Sequence, residues 1–190
     1  MKMTPVIDHL RSSCPAFASR IGGAINLDAL KASSEFSKPC AFIVSTGSKA
    51  GENDLQNEVR QDISDTFDIV VVLDPGTSTA QALTDTLDDM RSELWLALVG
   101  WKPSPSCDPI LFVSEELIEA DATRILYRYS FITGFQLGRT ISTDPAETWH
   151  ERELDELPEF EGLNVFVDDL DSAAGPEAFF EIVLTEELSA

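Results

Sequence analysis

Two stretches of this chain alternate apolar and polar residues for longer than a turn or a short helix sustains. In the first, Ile63, Asp65, Phe67, Ile69 and Val71 share one side, with Asp62, Ser64, Thr66, Asp68 and Val70 on the other. It begins near Gln61 and ends as Ile69-Val-Val-Val-Leu before Asp74-Pro-Gly. In the second, residues 124–139, Ile125, Tyr127, Tyr129, Phe131, Thr133, Phe135 and Leu137 share a side. A period of two belongs to β-strands, so the chain must build a sheet with one face against an apolar layer. The first strand becomes apolar on both sides at its end, which predicts burial on both faces there. The second supplies aromatic cross-strand packing.

The covering layer is legible as well. Ala80, Leu83, Leu87, Met90, Leu94 and Leu98 recur every three or four residues, with Asp85, Asp88, Asp89, Arg91 and Glu93 between them. That spacing predicts a helix, stopped by Gly100. An earlier helix is predicted from Thr4 as N-cap and Pro5 at its first position, through Val6, Ile7 and Leu10, ending at Pro15. Gly22-Gly23 reads as a break. Cys40-Ala-Phe-Ile-Val-Ser reads as a short buried strand ending at Thr46-Gly47, followed by an exposed polar loop through Asn57. Ile110-Leu-Phe-Val begins another strand, which residues 115–121 turn into its partner.

Helix, strand, strand, helix, strand, strand is the order of an α+β fold: a mainly antiparallel or mixed sheet with two helices on one face. Ile63, Phe67, Ile69, Leu83, Leu87, Leu94, Tyr129 and Phe131 are the expected core.

Charge divides the chain. Of 190 residues, 13 are Lys or Arg and 34 are Asp or Glu, a net charge of −21. Residues 1–141 hold 12 basic and 19 acidic side chains; residues 142–190 hold Arg152 alone against 15 acidic ones. The change falls at Ile141-Ser-Thr-Asp-Pro, which separates a body, 1–141, from an acidic extension, 142–190. In the extension, residues 151–157 read as one or two helical turns. Leu163-Asn-Val-Phe-Val and Phe179-Phe-Glu-Ile-Val-Leu read as a small β-hairpin. A surface this acidic excludes gripping duplex DNA or an anionic membrane as the main activity.

No apolar run approaches the roughly 20 residues that span a bilayer, and the first residues lack the apolar core of a secretory signal. Three cysteines, Cys14, Cys40 and Cys107, are an odd number at wide spacing, which points to free thiols in a reducing compartment.

The motifs of chemistry are fragments. His150-Glu-Arg-Glu-Leu is half of a zinc helix, but Leu stands at 154 and the other histidine is His9. Thr46-Gly-Ser-Lys-Ala-Gly lacks the spacing of a phosphate loop. Asp168-Asp-Leu-Asp lacks the ligand order of a calcium loop. Glu115, Glu116 and Asp121 are mild candidates for a carboxylate site, and read more simply as surface charges. No catalytic residue, cofactor or metal is expected.

The arrangement of the body resembles the tail terminator, or tail completion, proteins of long-tailed bacteriophages, including Mu-like phages. The resemblance covers residues 4–141. It rests on Pro39-Cys-Ala-Phe-Ile-Val and the polar loop after it, the long strand from Gln61 to Val72, the helix ending Leu98-Val-Gly-Trp-Lys-Pro, and the strand Tyr127-Arg-Tyr-Ser-Phe-Ile-Thr. It implies a non-enzymatic virion protein, assembled in the host cytoplasm and found at the head-proximal end of the tail. There a hexameric ring of copies caps the tail tube, ends its growth and meets the head-tail connector or neck. DNA passes through without specific binding.

Physical reasoning fits such a ring. Head-to-tail contacts between identical chains close when the rotation allows, and unpaired strand edges are natural joints. Ser48, Lys49, Glu52, Asn53 and Asp54, in the polar loop, are expected to touch a neighbouring copy or the tube. Trp101 and Lys102 are expected to wedge between copies, Trp101 alternatively closing the core over the helix end. The charge also admits another function, an acidic DNA mimic that inhibits a nucleic-acid enzyme. Against it, the charge is gathered in an appendage and not spaced like phosphates.

Overall fold

Strand β3, Gln61–Leu73, runs through the middle of a five-stranded sheet in the computed structural model, which describes residues 1–32, 36–56, 58–141 and 144–157. The chain enters through α1 (Thr4–Ser13), a 3-10 turn (Pro15–Phe17), β1 (Ile21–Ala24) and α2 (Leu27–Ala32). It continues through β2 (Cys40–Ala50), β3, α3 (Ala80–Leu98), β4 (Leu111–Ala120), β5 (Ile125–Leu137) and α4 (Trp149–Asp155). The strand order is β1-β2-β3-β5-β4. β1 runs parallel to β2 and every other pairing is antiparallel. The α+β fold with a mixed sheet is therefore the one expected.

The period-two pattern sorts β3 into two cores. Phe67, Ile69, Val71 and Leu73 face α1 and α3, where they meet Val6, Leu10, Met90, Leu94, Tyr129 and Phe131. Val70 and Val72 face the other way and pack with Cys40, Val44, Leu126 and Leu30 of α2. Two helices share one face as predicted, and α2 adds cover on the opposite face. At six residues, α2 is too short to show a helical period. Ile63, Leu83 and Leu87 are half-buried, lying nearer the rim of the sheet than the expected core.

Four boundaries differ from the sequence reading. Gly22 and Gly23 form β1 and not a break. The Phe42 ring lies 3.7 Å from where a Gly22 side chain would begin, and Ile7 of α1 lies 3.4 Å from the same point on Gly23. Both distances are ordinary van der Waals contacts, so the two glycines sit within the packed strand. β2 does not end at Thr46-Gly47; a bulge between Ser45 and Gly47 re-aims it, and pairing with β3 continues to Ala50. Residues 115–120 continue β4, and the turn comes afterwards. There Asp121 Oδ1 accepts from the backbone N–H groups of Thr123 (2.6 Å) and Arg124 (2.9 Å). Met3, not Thr4, occupies the N-cap of α1, without a side-chain bond.

Helix α4 spans Trp149–Asp155, capped by Thr148 and Glu151 in a reciprocal box. Glu151 also accepts from the Arg139 N–H at 2.7 Å, which docks α4 beside the end of β5. The hairpin expected within residues 163–184 lies outside the described residues.

Candidate assembly surface

The residues singled out for assembly fall into two groups. Ser48 and Lys49 are strand residues and not loop residues, paired with Asp65 and Ser64 of β3. The β2 pattern changes at the bulge. Up to Val44 the strand is mostly buried, and residues 45–50 are all exposed. β1 pairs with β2 only up to Val44, so residues 45–50 have a strand on the β3 side alone.

Side chains stitch this half of the hairpin. Thr46 Oγ1 donates to Thr66 Oγ1 at 3.0 Å, and Thr66 Oγ1 donates to Gly47 O at 3.2 Å. Ser48 Oγ and the Met1 amino group both donate to the buried Asp65 carboxylate. Burial pushes the Asp65 pKa up, but those donors outweigh it and hold the group below its ordinary value.

Glu52, Asn53 and Asp54 follow in the tip, which is a built turn. Asn53 Nδ2 donates to Glu58 O at 2.9 Å and to Leu55 O, and its Oδ1 accepts from Arg60 N–H at 2.7 Å. Asp54 N–H donates to Arg60 O at 2.9 Å. The returning chain lies against Gly138, whose φ is +100° and where a side chain would begin 2.1 Å from Val59 O. No other residue fits there. All three are exposed, but Asn53 is occupied within the tip, whereas the Glu52 and Asp54 side chains make no hydrogen bond among the described residues.

The second group sits where α3 ends. Gly100, with φ +88°, turns the chain. Gly100 N–H donates to Ile110 O and Ile110 N–H to Trp101 O, each at 2.9 Å. Trp101 is half-buried and stacks on His9 of α1, so it closes the core over the helix end; Lys102 is exposed. Helix α1 and its leading residues lie between the two groups, with Met1 on Asp65 and His9 on Trp101.

A groove of about 370 Å³ lies between α3, β4 and β5. Leu83, Leu87, Leu117 and Ile125 form its apolar walls, and Arg91 bridges Asp88 and Glu115 across it. Arg91 Nε and Glu115 Oε2 are buried without partners among the described residues. The carboxylates considered for chemistry have structural work: Glu115 pairs with Arg91, Glu116 with Arg128, and Asp121 holds its turn. The hydrogen bonds from Thr123 and Arg124 draw the Asp121 pKa down to about 2. All three thiols are buried, and burial with Glu93 nearby pushes Cys14 up to about 11. Burial raises Cys40 as well, so Cys14 and Cys40 are poor nucleophiles at neutral pH.

One feature escaped the residue patterns. β4 is an edge strand, and Leu111, Val113 and Leu117 on it are 56%, 55% and 52% exposed. The apolar run at Ile110–Val113 announced a strand; its place at the sheet's margin depends on long-range strand order.

Residues 1–143 match the family described as phage tail terminator protein. A search of curated proteins found no match. Among solved structures, a chain in the virion of a native gene transfer agent particle is similar, at 16% identity and a TM-score of 0.41. That similarity covers 69% of this chain and 91% of the other.

Proposed function

The chain belongs to the phage tail terminator family, structural proteins of the tail, and on that premise we propose that it caps the tail tube as a hexameric ring. The ring ends tube growth at the head-proximal end and presents a surface to the head-tail connector or neck. It assembles in the host cytoplasm and stays in the virion. The carrying observation is the family match, whose 143 residues include every strand of the sheet.

The geometry supports this reading. Among the described residues the sheet is not closed on itself, and β1 and β4 are its edge strands, a kind of surface suited to contact between copies. No helix among the described residues is long and apolar enough to cross a membrane. A net charge of −21 suits a bore through which DNA slides without adhering. Lys49, Glu52, Asp54 and Lys102 are the exposed groups proposed to touch a neighbour or the tube, with Ser48, Asn53 and Trp101 fixing the shape that presents them.

The test is to add the purified full chain to polymerising tube protein and image the products by negative stain. Tubes should stop lengthening and carry a ring at one end. Tubes that grow on with bare ends overturn the proposal.

A further inference from the structure

The chain after β5 folds back on the end of that strand and is held there by carboxylates. Gly138 N–H donates to Glu147 Oε2 at 3.0 Å, and the next amide, Arg139 N–H, donates to Glu151 Oε1 at 2.7 Å. The other Glu151 oxygen accepts from Glu147 N–H and Thr148 N–H at 2.7 and 2.9 Å. Glu147 is thus gripped by Glu151 through its backbone and grips Gly138 through its side chain. The Arg139 guanidinium adds an ion pair to Asp155 at 2.7 Å. α4 docks by these polar bonds and not by an apolar face, since Glu151 is its buried residue and Trp149 and Leu154 are exposed.

The same end of β5 supports the hairpin tip. Leu137 pairs with Gln61, the first residue of β3. Gly138 lies so close to Val59 O, in the chain leaving the tip, that a side chain there would collide. Next to Val59, Arg60 N–H donates to Asn53 Oδ1, and Arg60 O accepts from Asp54 N–H. Contacts therefore run without a gap from Glu151 through Glu147 and Gly138 to Val59, Arg60 and the tip. Contiguity alone is no coupling; an element with two states is also needed. α4 supplies it, because a short helix held by a few polar bonds can leave as a unit while the apolar cores stay intact. The family match ends at residue 143, before Glu147, Glu151 and α4. Residues 158–190, with nine acidic side chains and no basic one, follow α4.

We propose that residues 144–155 are a strap that closes on Gly138 and Arg139 and braces the hairpin tip, so that docking of α4 and order in the tip reinforce each other. Coupling of this kind is reciprocal: whatever fixes the tip also fixes α4, and with it the root of the acidic extension. The strap is a property of the single chain. Its use at the tube, where a tip held by a neighbour or by the tube would in turn hold that root against β5, rests on the capping role proposed above.

The test is amide-resolved hydrogen exchange on the full chain carrying Glu151→Lys, which puts a cation where three backbone N–H groups converge. Lost protection at the Arg139 amide, whose acceptor is Glu151, reports that α4 has left. The Arg60 and Asp54 amides should then exchange about fivefold faster or more, the lower end of ordinary coupling between sites. Ile69, in the middle of β3, should keep its protection. Asn53→Ala runs the test in reverse: loosening the tip should speed exchange at the Arg139 amide of an unaltered strap. An Arg139 amide still protected in Glu151→Lys, tip amides still protected after α4 has left, or an Arg139 amide indifferent to Asn53→Ala overturns the strap. So does a loss shared equally by Ile69, which would make residues 144–155 one cooperative unit with the sheet. The measurement needs no tube, so the strap can fail while the capping function stands.

Discussion

The His9 imidazole lies flat against the Trp101 indole, ring centroids 4.1 Å apart and planes 3° apart, and so ties α1 to the turn that ends α3. His9 Nε2 also donates to Ala97 O at 2.8 Å, in the last turn of α3. Trp101 is therefore a clasp between two helices. Trp101→Ala should lower the unfolding free energy by about 2 kcal/mol, less than for a fully buried aromatic because the indole is half-exposed. Urea denaturation checks this. A surface wedge with no clasping role would leave the midpoint unchanged.

Asn53 organises the hairpin tip by bonding three backbone groups between Leu55 and Arg60. Asn53→Ala removes all three bonds at an exposed site, where water replaces them. Global stability should fall by about 1 kcal/mol or less. Hydrogen exchange at the Arg60 amide, which donates to Asn53 Oδ1, should lose its protection. Glu52→Gln should leave that amide protected, since no hydrogen bond of the tip uses the Glu52 side chain among the described residues.

What the sequence made legible follows from where the information lies. β3 and α3 declare themselves because burial on one face imposes a local period on contiguous residues such as Phe67, Ile69 and Val71, or Leu87, Met90 and Leu94. β1 did not, because Gly22 and Gly23 look like a break locally and become a strand through their parallel pairing with Phe42 and Ile43 of β2. The second half of β2 was hidden by its exposed polar side chains; its strand character comes from pairing with β3. For Trp101 the residues left two roles open, and its packing over the helix end depends on a histidine far away in sequence. The open margin of β4 was the least legible feature, because no local pattern encodes which strand ends up last in a sheet.

Glu151 is a buried carboxylate with three backbone donors: Arg139 N–H at 2.7 Å on one oxygen, Glu147 N–H at 2.7 Å and Thr148 N–H at 2.9 Å on the other. Burial pushes its pKa up, and the donors more than reverse this, holding the group below its ordinary 4.5. Because the folded value is depressed, the stabilisation is complete above the ordinary value and disappears as pH falls through the lowered one. Glu151→Gln should cost the α4 docking about 2 kcal/mol at neutral pH. The Arg139 amide's protection factor would report it. The gap between parent and variant should narrow as pH drops below about 4.5, since a protonated Glu151 resembles the amide.

Both tyrosines of the chain, Tyr127 and Tyr129, stand in the groove beneath α3, and the same two influences act on them. Burial raises both pKa values above the ordinary 10.0, and the nearby Glu115 carboxylate raises them further, with Arg91 opposing only in part. Tyr129 is 1% exposed and donates its hydroxyl proton to Leu87 O at 2.9 Å, so ionisation would also break a bond to the α3 backbone. Raised acid pKa values favour the neutral form in the folded state. Stability is therefore full below pH 10 and declines above it, as the unfolded chain gains by releasing protons that the folded chain retains. Alkaline titration followed by phenolate absorbance should show less than half of the phenol ionised at the ordinary tyrosine pKa, with the Tyr129 share released in an abrupt rise that coincides with loss of helical circular dichroism. Glu115→Gln removes the negative charge while keeping a polar side chain, and should bring Tyr127 ionisation to lower pH ahead of unfolding. A smooth two-tyrosine titration centred near 10 in the unaltered protein would show the groove to be open to water and the α3–β5 packing to be other than described.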